Sequence, residues 1–199
     1  MSNFNLEKGD KFNLSKDNDQ LHTVRAELEW ETPEGTFPAF DLDVSLFGLK
    51  ETANGPKLLK DDYFVFYNHE NKKDDKTPID TFDGAITKSP DETTGGVEWI
   101  KVRLPQVDPQ TDELSVIITI HKAKQRKQTF DQVSGAKINI FNDETGDLIC
   151  SYNLGEGFVH QTAVQIGSFV RDSSGDWIFE AVGVGYELEL DAFIGGYTS

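Results

Sequence analysis

Two aspartates stand one residue apart in PAFDLDVSLFGL, residues 38–49. Read as a strand, this stretch alternates its side chains between faces, so Asp41, Asp43 and Ser45 point one way while Phe40, Leu42, Val44 and Leu46 point the other. Like charges side by side repel, and three arrangements relieve them: solvation at a strand end, basic partners, or a shared hard cation. A calcium ion takes six to eight oxygens from carboxylates, carbonyls, amides and water. Asp91, Glu92 and Glu98 lie in a later loop and could add carboxylates to the pair. Spacing alone leaves the metal site and a plain solvated acidic edge both open.

Other chemistries find little support. His22, His69, His121 and His160 show no metal-ligand spacing, and no HExxH, GxSxG or GxxxxGK[ST] occurs. GVGYEL, 183–188, carries a GxG without a third glycine or a following long helix, which is too little for a dinucleotide site. Cys150 is the only cysteine, so no intrachain disulfide forms; within the alternating DLICSYNL it reads as a core thiol and not a nucleophile. A carbohydrate-binding or glycoside-hydrolysing use of Asp41 and Asp43 is the alternative reading. Alternate strand residues have Cα atoms roughly 6.6 Å apart, within the range of paired glycosidase carboxylates, and Trp30, Trp99 and Trp177 are candidates for sugar stacking or for the core.

The elements that must position these residues are strands. In TVRAELEWE, Val24, Ala26, Leu28 and Trp30 alternate with Arg25, Glu27, Glu29 and Glu31. Similar runs occur at 63–68, 97–104, 114–123, 136–142, 147–154, 162–172 and 176–185, separated by turn sequences such as NDETGD, NLGEG and DSSGD. The pattern predicts an all-β fold: a β-sandwich of two mostly antiparallel sheets, with one or two short helices around KAKQRKQTFDQV and YELELDAFIG. With no linker or repeat in sight, residues 1–199 are expected to form a single domain. The polar, turn-rich stretch 68–96 is expected to be a long functional loop.

The chain has 35 acidic and 19 basic residues, a formal charge of −16, which opposes binding to nucleic acid and to anionic membranes. No apolar run reaches membrane-spanning length, and MSNFNLEKGDKFNL lacks a basic start followed by an apolar stretch; together with one cysteine this leads us to expect a cytoplasmic protein with no direct membrane insertion. The basic run HKAKQRKQ, with Lys122, Lys124, Arg126 and Lys127, reads as a solvated turn, or as a dock for an acidic partner.

FNLEKGDKFNLSK, VRAELEWE, FDLDVSLF, DDYFVFYN, VSGAKINIFNDETGDLICSYNL and WIFEAVGVGY follow in an order and spacing that resembles the TerD family, the tellurite-resistance and stress-response domain, from about residue 4 to 197. The resemblance implies a calcium-binding β-sandwich without catalytic activity. Such a module is expected to act through partners, other stress-response proteins or a membrane-associated complex. Asp41 and Asp43 fall on the family's acidic strand motif; Asp91, Thr94, Gly95 and Glu98 match its loop, and Glu92 stands where the family has Asn. The implied Ca2+ ligands are therefore Asp41, Asp43, Asp91, Glu92 and Glu98. Gly96 and Val97 replace acidic residues of the family loop, and Glu31 replaces an Asp after Trp30. Fewer carboxylates imply weaker binding than in a full-motif member, through the loss of one of two adjacent calcium positions or through lower affinity at both.

Overall fold

The computed structural model describes residues 4–5, 8–14, 21–154 and 157–198, so parts of FNLEKGDKFNLSK, the DNDQ run and the tip of NLGEG lie outside the described residues. In chain order the strands are β1 (Phe4–Asn5), β2 (Lys11–Asn13), β3 (Thr23–Glu31), β4 (Leu42–Lys50), β5 (Lys57–Leu58), β6 (Phe64–Val65) and β7 (Ile79–Asp80). They continue with β8 (Ile86–Lys88), β9 (Gly96–Arg103), β10 (Glu113–Ile120), β11 (Ser134–Asn142), β12 (Leu148–Asn153), β13 (Ala163–Arg171) and β14 (Trp177–Tyr186). Two short helices join them, α1 (Ala123–Arg126) and α2 (Leu190–Thr198). One sheet runs β1-β12-β11-β3-β9-β8-β7 and the other β2-β14-β13-β10-β4-β5, with β6 also on β4. All pairings are antiparallel except β1 with β12. The chain is the β-sandwich that its alternation predicts.

Alternation explains why the sheets stack. Val24, Ala26, Leu28 and Trp30 of β3 turn inward against Leu42, Val44 and Leu46 of β4 and Leu114, Val116 and Ile118 of β10, in one continuous core. Burying each such side chain contributes about 1.5–3 kcal/mol. The second sheet is also covered on its far side. Phe47 and Leu49 of β4 and Ile117 of β10 pack under Phe193, Leu190, Ile194 and Tyr197 of α2. Thus the face of β4 that starts with Asp41, Asp43 and Ser45 continues into buried aromatic and aliphatic side chains, and nearly the whole strand is removed from water.

Two expectations are corrected by local packing. The run 63–68 is not one strand: a 3₁₀ turn at Asp61–Tyr63 precedes the two-residue β6. That turn is held because both Asp62 carboxylate oxygens accept the Phe82 amide, at 3.0 and 3.1 Å, while Phe64 and Phe66 stack with ring centroids 4.2 Å apart. The stretch 68–96, in turn, contains β7 and β8, which extend the first sheet beyond β9. These strands are too short for alternation to reveal them.

Tyr63 locks this region to β4. It is fully buried; its hydroxyl donates to Asp83 Oδ2 at 2.8 Å and accepts from the Asp108 amide at 2.8 Å. Its ring lies directly over Gly48, where a Cβ would fall 2.3 Å from Tyr63 Cδ2. Gly48→Ala is therefore expected to displace the ring and to lower stability by about 1–3 kcal/mol. Urea denaturation with an unchanged midpoint would refute this.

Candidate metal centre

The acidic residues meet where the two sheets come together along β4 and β9. On β9, Glu98, Ile100 and Val102 face inward and Trp99, Lys101 and Arg103 outward, so strand geometry drives Glu98 into the margin of the core, where it is fully buried. Its Oε2 accepts the Val44 amide of β4 at 3.0 Å and the Lys88 ammonium at 3.1 Å; Oε1 accepts the Glu92 amide at 3.1 Å. One carboxylate thus ties the two sheets together and shapes the loop that follows β8.

Asp43, Asp91 and Glu98 converge, each offering a carboxylate oxygen within 4.8 Å of the others. An ion with oxygen ligands at about 2.3–2.6 Å spans ligand pairs up to roughly 5 Å apart across its diameter, so the spacing suits a calcium-sized cation. Asp91 Oδ1 is buried without a hydrogen-bond donor, as is Ser45 Oγ. Asp43 is 3% exposed, and the ion-pair contact it makes is His121 Nδ1, 3.7 Å from its Oδ2. A buried carboxylate oxygen without a donor, beside two further carboxylates, is what a bound cation would satisfy. The residues fit such an ion.

The other sequence candidates take different places. Asp41 lies at the edge of the cluster and is held by Arg126, whose guanidinium donates to Oδ2 at 3.2 Å. Its backbone carbonyl accepts the His121 amide at 2.8 Å. Glu92 is exposed, and it is its amide that reaches the centre, through Glu98. Glu31 is exposed beside Gly135, while Trp30 is a core residue whose Nε1 donates to the Phe40 carbonyl at 3.1 Å. The basic run is not wholly a solvated turn, since Arg126 is an internal counter-ion of Asp41. The roles of Lys88, Arg126 and His121 at this site are not legible in the sequence: Arg126 reads there as part of a basic turn, His121 as a histidine without metal-ligand spacing, and Lys88 sits on a strand too short to show a period.

Electrostatics follow from burial. Desolvation raises Asp43 well above the usual carboxylate range, and Glu98, Asp91 and Asp41 push it further while Lys88 opposes them. Asp41 is also raised by desolvation, countered by His121 and Arg126. Desolvation lifts Glu98 to about 7 in spite of Lys88 and two amides. Tyr67, beside the cluster with its ring edge-on to His121, is raised by burial and then by the three aspartates.

A second group, Asp62, His69 and Glu70, has the composition of a metal site. Its two buried members are already engaged. His69 Nδ1 accepts the Asn71 amide at 3.2 Å, which leaves Nε2 to donate to the Asp62 carbonyl at 3.1 Å, and the Asp62 carboxylate takes the Phe82 amide. This group is a structural clip. Cys150 is buried and its thiol is pushed up to about 12 by desolvation, which fits a packing role. Of the tryptophans, Trp30 and Trp177 are buried and Trp99 sits on the outer face under the Lys101 ammonium.

Comparison with known proteins agrees with this architecture. The family model for the TerD domain matches residues 2–197. A tellurium resistance protein TerD from Serratia marcescens is 35% identical over 185 residues, covering 91% of this chain and 90% of its own. General stress protein 16U of Bacillus subtilis is 36% identical over 188 residues, covering 92% and 90%. Among solved structures, a homologue of telluride resistance protein from Streptomyces coelicolor superposes with a TM-score of 0.68 at 22% identity, covering 90% of this chain and 99% of that one. It shows the same fold.

Because Glu98 keeps its proton to about 7 when folded but releases it near 4.5 when unfolded, the folded chain holds more protons between those values. Stability of metal-stripped protein should then fall as pH rises through that window. The melting temperature is expected to drop between about pH 5 and pH 8, with the raised Asp43 adding to the fall, and Glu98→Gln to reduce the slope while lowering the melt overall. An equally steep slope in the variant would refute the assignment.

Proposed function

The chain belongs to the TerD family, and we propose that it is a calcium-binding, non-catalytic module of the stress response that works through partners. A role in resistance to chemical stress goes with that membership, since the matching relatives are named for tellurium resistance and for general stress. The observation that carries the calcium reading is the convergence of Asp43, Asp91 and Glu98, where the buried Oδ1 of Asp91 has no donor. Asp43 and Asp91 would supply the principal ligands. Glu98 would add an oxygen and position the loop through the Glu92 amide, and Asp41 would tune the charge from the side.

A bound cation would supply charge neutralisation, not reaction chemistry. It would draw the loop between β8 and β9 against β4, and so couple ion occupancy to the surface presented there. A chain of formal charge −16 gains most from such neutralisation when it meets other proteins. We place it in the cytoplasm, with other stress-response proteins or a membrane-associated complex as partners. The glycosidase alternative is not favoured: Asp41 is committed to Arg126, Asp43 is buried, and Trp30 and Trp177 belong to the core.

Binding to the folded form alone stabilises it by about 2.7 kcal/mol at 100 times Kd. For a domain of this size the melting temperature should rise by roughly 5–10 °C in saturating calcium. Asp43→Asn/Asp91→Asn should abolish the rise. Identical melts of the wild-type chain in chelator and in calcium would sink the proposal.

A further inference from the structure

We propose that the Lys88 ammonium is a resident cation of the acidic centre, occupying Glu98 so that the site takes a single divalent ion. This inference rests on the cation-binding reading above and specifies how many ions the site admits and what sets its affinity.

Lys88 is wholly buried, which is rare for lysine without a fixed partner. Strand register leaves it no way out. On β8 it shares a face with Ile86, a core residue, so its stem points inward between the sheets. The register that sets Lys88 opposite Ile100 makes Glu98 its diagonal neighbour across the strand pair. The ammonium lies 3.1 Å from Glu98 Oε2 and 3.5 Å from the Ser89 carbonyl, both acceptors.

Charge and lone pairs lead to the same count. Four carboxylates gather here, those of Asp41, Asp43, Asp91 and Glu98. With the His121 ring beside Asp43 counted as neutral, two cations are built in, Arg126 on Asp41 and Lys88 on Glu98. Two negative charges remain, the charge of one divalent ion. A carboxylate has about four lone-pair sites, and Glu98 already accepts from Lys88 and from the Val44 and Glu92 amides. It can give an ion little more than one oxygen. Gly96 and Val97, the two residues before Glu98, bring no carboxylate that could hold a second ion.

The test is calcium titration of the full chain by calorimetry, with ions per chain counted by native mass spectrometry, for wild type, Lys88→Met and Lys88→Met/Glu98→Gln. Wild type is expected to take one ion. Lys88→Met, which frees the Glu98 charge, is expected to melt lower in chelator, to recover in calcium, and to bind at least about tenfold tighter or take a second ion, because ligand charge sets affinity. The double variant restores the charge balance and should return to within a few-fold of wild type. Two ions on wild type, or Lys88→Met with unchanged count and affinity, would overturn the role of Lys88 while leaving calcium binding intact. Calcium on Lys88→Met but none on wild type would reject the calcium reading of the native site and still support Lys88. If Lys88→Met does not fold, the wild-type count and the double variant decide.

Discussion

A carboxylate at the margin of a hydrophobic core must be matched by donors or cations, and much of this structure is organised around that demand at Glu98. Isolated burial of the charge would cost several kcal/mol. Glu98 meets it with an ammonium from β8 and amides from β4 and from the loop before β9. The same three contacts hold the two sheets and the loop in register, so the electrostatic solution is also a mechanical joint. It puts Asp91 beside Asp43, two groups that repel unless something positive shares them.

Around that joint the fold keeps water out. The second sheet is covered by the core on one side and by α2 with the aromatic cluster of Phe47, Phe64 and Tyr197 on the other. Tyr63, Asp83, Lys60 and Asp108 form a polar network that pins the segment crossing over β4. The low local dielectric strengthens every interaction of the cluster, and this applies to the repulsion among carboxylates as well as to the Lys88–Glu98 attraction. In a family whose relatives are named for stress and tellurium resistance, the proposed cation would couple its occupancy to the structure around β4 and β9.

What could be read from the sequence was local. Alternation in TVRAELEWE and its companions specified the strands and most of the core, because one face of each had to be apolar to stack. FDLDVSLF placed Asp41 and Asp43 on one face, and the alternating run 97–104 set Glu98 where the acidic loop enters a strand. The short strands β7 and β8 were hidden, since two or three residues carry no period. The far side of the second sheet was hidden as well, for Phe47 and Leu49 lie on the acidic face and make sense only once α2 covers them.

The sequence by itself determined a sandwich and a short set of carboxylates. Tertiary structure decided which of them share a point in space and what balances them. Arg126 reaches Asp41 across 85 residues and Glu98 reaches Val44 across 54, distances over which no local pattern can assign partners. Lys88 shows the reason most plainly. As a letter it is a surface cation, and it becomes a core cation only when the pairing of β8 with β9 closes the one direction in which its side chain could reach water.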